Sequence, residues 1–338
     1  MLQLHGMRQL LILILSTSYC QGQSGSGSGE LTIEFDATPM LIQKINGITP
    51  VLTGFSGGGE MSCMMHTIHS KTFHGAASVG GSSYASPMIN SDYGKRPITK
   101  NLKIAKKMSN AGKIDNLKNL KNSRVYVLHA TDDEVVPIYL GRKIKKYYKN
   151  ISDSVKVKED IQRKFGHEFP TSKGEPIEIL NHLYQKNIEI KKNWKSGKPI
   201  YTKFSMKSFC PDSNCKKAGI HDNAWLSASK ACRNGEIECP VVFFLHGCTG
   251  SFVTVGMSGM TDTFFAHIAE KHDFVVVFPQ TTAAADACWN VGWRGEKGNG
   301  QVQLESSKLG HLTYANPQAV VFKKLVDALQ SKPNLVGN

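Results

Sequence analysis

Val51-Leu52-Thr53-Gly54-Phe55-Ser56-Gly57-Gly58-Gly59, continued by Glu60-Met61-Ser62-Cys63-Met64-Met65-His66, decides how the rest of the chain is read. A short apolar run that reads as a strand enters a Gly-x-Ser-x-Gly segment, and a Met-rich stretch that reads as a helix leaves it. A serine on a sharp strand-to-helix turn needs glycines on both sides, because the tight backbone leaves no room for Cβ atoms. The turn exposes the hydroxyl and aims the helix N-terminus at a developing oxyanion. A plain glycine-rich turn has the same five letters. The strand before and the helix after make Ser56 the candidate nucleophile.

A nucleophilic serine requires a base and a group that orients the base. Arg124-Val125-Tyr126-Val127-Leu128 reads as a strand by its β-branched and aromatic content, and it runs into His129-Ala130-Thr131-Asp132-Asp133-Glu134-Val135-Val136-Pro137. In α/β-hydrolases the acid follows a strand end. Asp133 fits, with Asp132 the rival one residue away, and either carboxylate could instead cap the helix that follows Pro137. The base is expected beyond the acid. Phe165-Gly166-His167-Glu168-Phe169-Pro170 supplies a loop histidine, and His167 is the best placed of the twelve histidines.

Pro240-Val241-Val242-Phe243-Phe244-Leu245 is wholly apolar and reads as a central strand; it ends in His246-Gly247-Cys248-Thr249-Gly250. His-Gly after such a strand is the usual oxyanion-hole loop of α/β-hydrolases, where a backbone N–H completes the hole. Phe274-Val275-Val276-Val277-Phe278-Pro279-Gln280 is a second buried strand. In the ordinary fold both strands precede the serine, but fewer than 30 residues separate Glu30 from Ser56. The parts are present in cyclically shifted order, and circular permutation is the economical explanation.

The flanking features concern compartment and partners. Residues 1–22 carry Arg8, an apolar stretch from Leu10 to Leu15 and a small, polar Ser16–Gly22 segment, the layout of a secretory signal peptide cleaved after Cys20 or Gly22. Residues 23–29 are a Gly/Ser linker, and 30–338 are expected to form one catalytic domain. The alternative for the first segment is a buried or amphipathic helix. Six of the eight cysteines fall between Cys210 and Cys288. The close pairs Cys210/Cys215 and Cys232/Cys239 lack the spacing and histidines of a zinc site, so disulfides in an oxidising compartment are the better reading. Cys63, in the Met-rich segment, reads as a buried free thiol. Asn150-Ile151-Ser152 is a glycosylation sequon.

The chain has 338 residues, 40% of them hydrophobic and 20% charged, which suffices for a sizeable core and argues against disorder. No apolar run reaches the ~20 residues that span a bilayer, so no integral membrane association is expected. The formal charge is +14, and 13 Lys/Arg face 4 Asp/Glu between residues 100 and 149. Neither interleaved aromatics nor a nucleic-acid-binding motif accompanies that charge, so no nucleic-acid partner is expected. Tyr139–Lys149 instead sets Leu140, Ile144 and Tyr147 at helical spacing among lysines, an amphipathic surface helix.

Gly54-Phe55-Ser56-Gly57-Gly58, Gly166-His167-Glu168-Phe169-Pro170-Thr171, Leu245-His246-Gly247-Cys248, Phe278-Pro279-Gln280 and Cys288-Trp289-Asn290-Val291-Gly292-Trp293 occur in one unusual order. In that order they resemble the circularly permuted, single-domain poly(3-hydroxybutyrate) depolymerases of the fungal type, from about Gly47 to Leu329. The resemblance implies an α/β-hydrolase fold with a mostly parallel central sheet flanked by helices. It implies Ser56 as nucleophile, Asp133 as acid and His167 as base, and the backbone N–H groups of Gly57 and Cys248 as the oxyanion hole. It pairs Cys248 with Cys288 and Cys232 with Cys239. Trp289 and Trp293 become candidate walls for an apolar acyl chain, their alternative being core aromatics beside a disulfide. The implied protein is a secreted, monomeric serine esterase acting on a polyester or small ester substrate, with no metal and no organic cofactor. A feruloyl or acetyl esterase acting on carbohydrates, or a catalytically silent hydrolase fold used for binding, are the competing readings. Thr249-Gly250 stands where the family commonly has Leu-Gln, a departure that touches substrate preference more than chemistry.

Overall fold

The computed structural model describes residues 33–37, 45–86, 97–170, 174–189, 199–291 and 310–330. The expected signal peptide, the Gly/Ser linker and Trp293 lie outside the described residues. Among the described residues nine strands form one sheet: β1 (Ile33–Ala37), β2 (Asn46–Phe55), β3 (Gly75–Val79), β4 (Arg124–Leu128), β5 (Lys156–Asp160), β6 (Tyr201–Ser205), β7 (Asn223–Ala228), β8 (Glu238–Leu245) and β9 (Val275–Phe278). Their spatial order is β1-β6-β7-β9-β8-β2-β3-β4-β5. Every neighbouring pair is parallel except those of β7, which runs antiparallel to β6 and β9.

The apolar runs sit where parallel strands need them. Residues Cys239–Leu245 of β8 and all of β9 are buried, because helices cover both faces of the sheet. Alternation sorts the side chains between two cores: Leu52, Val125, Phe243 and Leu245 pack on one face, Val51, Tyr126, Val242 and Phe244 on the other. The edge strand β5, Lys-Val-Lys-Glu-Asp, is charged and only partly covered, which discourages further strand addition.

The longer helices are α1 (Gly57–Ile68), α2 (Ile98–Asn110), α3 (Ile138–Ile151), α4 (Gly174–Tyr184), α5 (Phe265–Lys271) and α6 (Pro317–Gln330). All residues of α1 are buried, so it has no solvated face and its Met-rich composition follows. The α3 helix keeps the amphipathic pattern read from the sequence: Leu140, Ile144, Tyr147 and Tyr148 are buried, while Arg142, Lys145 and Lys146 are exposed. No helix among the described residues is long and apolar enough to cross a membrane.

The cyclic shift is visible in the sheet. The first half of the chain supplies β2–β5 to one side and the second half supplies β6–β9 to the other. They join where β2 pairs with β8, from Asn46↔Glu238 to Gly54↔Leu245. A Cβ on Gly47 would lie 2.8 Å from the Leu329 carbonyl oxygen, so the end of α6 abuts the start of β2. Joining those two points would place the β8 loop ahead of the serine strand, the adjacency that a permuted fold requires.

Among the described residues three disulfides close, Cys210–Cys215, Cys232–Cys239 and Cys248–Cys288, and Cys63 is free and buried. Burial pushes the Cys63 thiol up to about 12, leaving it inert at neutral pH.

Candidate active site

Four neighbouring parallel strands, β8-β2-β3-β4, end at one edge of the sheet, and the loops leaving them make the site. Ser56 follows β2 with φ 53° and ψ −121°, a left-handed conformation that costs a non-glycine residue about 1–3 kcal/mol. The Ser56 amide donates to the Val79 carbonyl at 2.8 Å, which fixes the turn on β3. The turn is tight against its neighbours: a Cβ on Gly58 would lie 2.0 Å from the Leu245 carbonyl oxygen and 2.5 Å from that of His246. Glycine is therefore required for helix α1 to start this close to the β8 loop.

The serine, histidine and one aspartate form a hydrogen-bonded row. His167 Nε2 lies 2.9 Å from Ser56 Oγ, and His167 Nδ1 lies 2.8 Å from Asp133 Oδ2. A carboxylate only accepts, so Nδ1 carries the proton and Nε2 presents its lone pair to the serine hydroxyl. The Asp133 side chain is buried, and its Oδ1 accepts from the Val135 and Val136 amides at 3.0 and 2.7 Å. One oxygen is thus held by the backbone while the other faces His167.

Asp132, the rival acid, has a different task. Its Oδ1 accepts from the Phe165 and Gly166 amides, both at 3.1 Å, and so anchors the loop that carries His167. The Gly166 amide above all holds this carboxyl below its ordinary range. Phe55 packs against the His167 ring at 4.9 Å between centroids, and Phe169 packs edge-on to Phe55 and Phe244. The loop is thereby clamped at both ends.

A Cβ on Gly57 would lie 3.8 Å from the Cys248 backbone nitrogen and 2.8 Å from its Sγ, so the first residue of α1 and the β8 loop adjoin. Neither amide has a backbone partner among the described residues. Two free N–H groups beside Ser56 can accept the negative charge of a tetrahedral intermediate. The loop bearing Cys248 is fastened by the Cys248–Cys288 disulfide and by the Thr249 amide, which donates to the Asp286 carbonyl at 2.7 Å. His246 is buried under it: Nδ1 donates to the Gly247 carbonyl at 2.7 Å, and Nε2 accepts from the Thr281 amide at 3.3 Å. Burial lowers its pKa to about 4, so it is a neutral structural group.

Trp289 does not form a crevice wall. It is 2% exposed, packs at a tilt against His246 at 4.8 Å and Phe322 at 5.6 Å, and its Nε1 donates to the His246 carbonyl at 2.8 Å. The indole lies inward, against the residues that precede Cys248; the core alternative is the one realised. Sequence reading missed the loop-holding role of Asp132 and the contribution of Gly80. Gly80 adopts φ 56°, a conformation a side chain resists, and it lies against Asp133 Oδ2 and His167 Cε1, which a Cβ would meet in ordinary contact at 3.4 and 3.6 Å. A lone glycine after an apolar strand carries no signal that could have singled it out.

The sheet order and the serine turn together define an α/β-hydrolase fold with cyclically shifted chain order. Among proteins of that fold, the chain is similar in sequence and structure to poly(3-hydroxybutyrate) depolymerases of the fungal type. No family model matches it. It is 27% identical over 319 residues to the poly(3-hydroxybutyrate) depolymerase of Delftia acidovorans, covering 85% of this chain and 61% of that protein. It therefore spans about three fifths of that relative's length. Identity to the polyhydroxybutyrate depolymerase of Talaromyces funiculosus is 21% over 308 residues, 79% of this chain and 90% of that one. The crystal structure of the PHB depolymerase from Penicillium funiculosum superimposes with a TM-score of 0.69 at 18% identity, covering 86% of this chain and 98% of that chain. A PHB depolymerase complexed with an R3HB trimer gives 0.68 at 17% identity with the same coverage.

Proposed function

We propose that this chain is a secreted serine esterase that hydrolyses poly(3-hydroxybutyrate) or related short-chain hydroxyalkanoate esters. The observation that carries the reading is the Ser56–His167–Asp133 row, with contacts of 2.9 and 2.8 Å beside two free amides. In the first step His167 Nε2 takes the Ser56 proton as Oγ attacks the ester carbonyl. Asp133 stabilises the imidazolium through Nδ1–H and keeps the ring in the required tautomer. The Gly57 and Cys248 N–H groups hold the oxyanion; losing one such donor typically lowers kcat by about 10²–10³. His167 then returns the proton to the leaving alcohol. Water activated by the same nitrogen releases the hydroxy acid from Ser56. Each step uses side chains and amides already in place.

The substrate class rests on the likeness to the depolymerases, and secretion rests on the signal-like first 22 residues and the disulfides. A silent binding module is disfavoured, because a fold without catalysis has no use for a strained serine aligned with a histidine and a buried carboxylate. The test is clearing of a poly(3-hydroxybutyrate) suspension by the mature protein, beside p-nitrophenyl butyrate hydrolysis and the Ser56→Ala variant. Clearing that vanishes in the variant supports the proposal. Hydrolysis of the small ester without clearing moves the substrate to oligomers or carbohydrate esters. Activity that survives Ser56→Ala refutes the site.

A further inference from the structure

A second imidazole stands beside the acid. His129 is the first residue after β4 and is fully buried. Its Nε2 lies 2.8 Å from the Val136 carbonyl oxygen and 3.5 Å from Asp133 Oδ2. A carbonyl only accepts, so Nε2 carries the proton and is directed at the turn that holds the acid. Nδ1 has no partner among the described residues. Burial lowers the pKa of this imidazole and keeps it neutral. Helix α3 closes the pocket through Gly141, where a Cβ would lie 2.6 Å from Nδ1 and 2.9 Å from Cγ of the ring.

We propose that His129 is a positioning residue for ester hydrolysis: its Nε2–H fixes the Asp133–Val136 turn and through it the carboxylate that orients His167. The inference rests on the serine-esterase reading above. The turn is held from two directions. Asp133 Oδ1 accepts the Val135 and Val136 amides, and the Val136 carbonyl is in turn held by His129. Removing the His129 donor leaves that carbonyl unpaired in a dry interior, and the turn must shift to find another partner. Oδ2 then leaves its 2.8 Å contact with His167. Packing alone does not account for a histidine here, because its Nδ1 remains buried and unsatisfied, a defect that an apolar side chain would avoid. The donor at Nε2 is the compensating gain, and the glycine at 141 is the space that admits the ring.

The experiment compares His129→Leu, His129→Gln, Gly141→Ala and Ser56→Ala in the full chain, with p-nitrophenyl butyrate kinetics and thermal melts. His129→Leu removes the donor and is expected to lower kcat about 10- to 100-fold, as displacement of a catalytic group by about 1 Å does, with KM nearly unchanged. His129→Gln restores an N–H at the same reach and is expected to recover kcat to within about 3-fold of the parent. Gly141→Ala displaces the ring without altering it and is expected to lower kcat in the same sense. A folded His129→Leu protein with the parent kcat overturns the inference, as does a glutamine variant no better than leucine at equal stability. Should His129→Leu fail to fold, Gly141→Ala decides: parent kcat in that variant overturns it. Full activity in Ser56→Ala would instead overturn the underlying esterase reading.

Discussion

Gly58→Ala is the substitution whose effect follows most directly from the coordinates. The new Cβ would meet the Leu245 carbonyl oxygen at 2.0 Å and the His246 carbonyl oxygen at 2.5 Å. Ordinary contact begins at 3.4 Å, so the serine turn and the loop after β8 must part by roughly 1.4 Å. Both obstacles are backbone, and no rotamer change relieves them. The Cys248–Cys288 disulfide and the Trp289–His246 hydrogen bond resist movement on the loop side. Overpacking of this kind destabilises by about 1–3 kcal/mol. At about 2–4 °C per kcal/mol for a domain of this general size, the melting temperature should fall by roughly 2–12 °C. On the proposed mechanism, parting the Gly57 and Cys248 amides by about 1 Å or more should lower kcat about 10²-fold. The assay is p-nitrophenyl butyrate turnover beside differential scanning calorimetry. A Gly58→Ala protein that melts with the parent and retains kcat within a factor of three would show that the close approach does not build the site.

Asp133→Asn should lower kcat by about 10⁴, the effect of misorienting the catalytic imidazole in a serine triad, whereas Asp132→Asn, which keeps an oxygen for the Phe165 and Gly166 amides, should cost far less; steady-state kinetics rank the two. Replacing Cys248 and Cys288 together by serine releases a loop with a sequence separation of 40 and should destabilise by ~4 kcal/mol on the chain-entropy model, read by urea denaturation; an unchanged midpoint contradicts this. His246 has a folded pKa of about 4 against an ordinary 6.5, so the unfolded chain binds a proton that the fold refuses. Stability is therefore full above pH 6.5 and declines as pH falls towards 4, by on the order of 3 kcal/mol from this group. His246→Asn keeps a donor for the Gly247 carbonyl and removes the titration, so its melting temperature should fall less steeply across that window; an equally steep fall assigns the pH dependence to other groups.

The parts of the fold that were legible in the sequence are those where physics leaves few residue choices. Gly54 and Gly58 are dictated by a backbone approach that excludes Cβ atoms, and Val241–Leu245 and Val275–Phe278 are apolar because both faces of their strands are covered. Their order along the chain then exposed the cyclic shift. The charged edge strand Lys156–Asp160 gave no such signal, since its pattern is that of a solvated loop. In the candidate site, local turn chemistry singles out Ser56 and a loop position beyond the serine and the acid singles out His167, but Asp132 and Asp133 are the same residue type side by side. Both accept backbone amides; what distinguishes them is that Asp132 holds the amides of the His167 loop while Asp133 also meets the His167 imidazole. Trp289 was ambiguous for a related reason: an aromatic beside a disulfide can point into a crevice or into the core. The choice here is made by the His246 carbonyl and Phe322, both distant in sequence.

An activated Ser56 reacts with electrophiles that ordinary serines ignore, so active-site labelling reads the proposed nucleophile itself. The mature protein would be treated with a fluorophosphonate and its peptides mapped by mass spectrometry. One adduct on Ser56 is predicted, strongly reduced in His167→Ala and absent in Ser56→Ala. Labelling at another serine, or no labelling of a folded and ester-hydrolysing protein, would contradict the account.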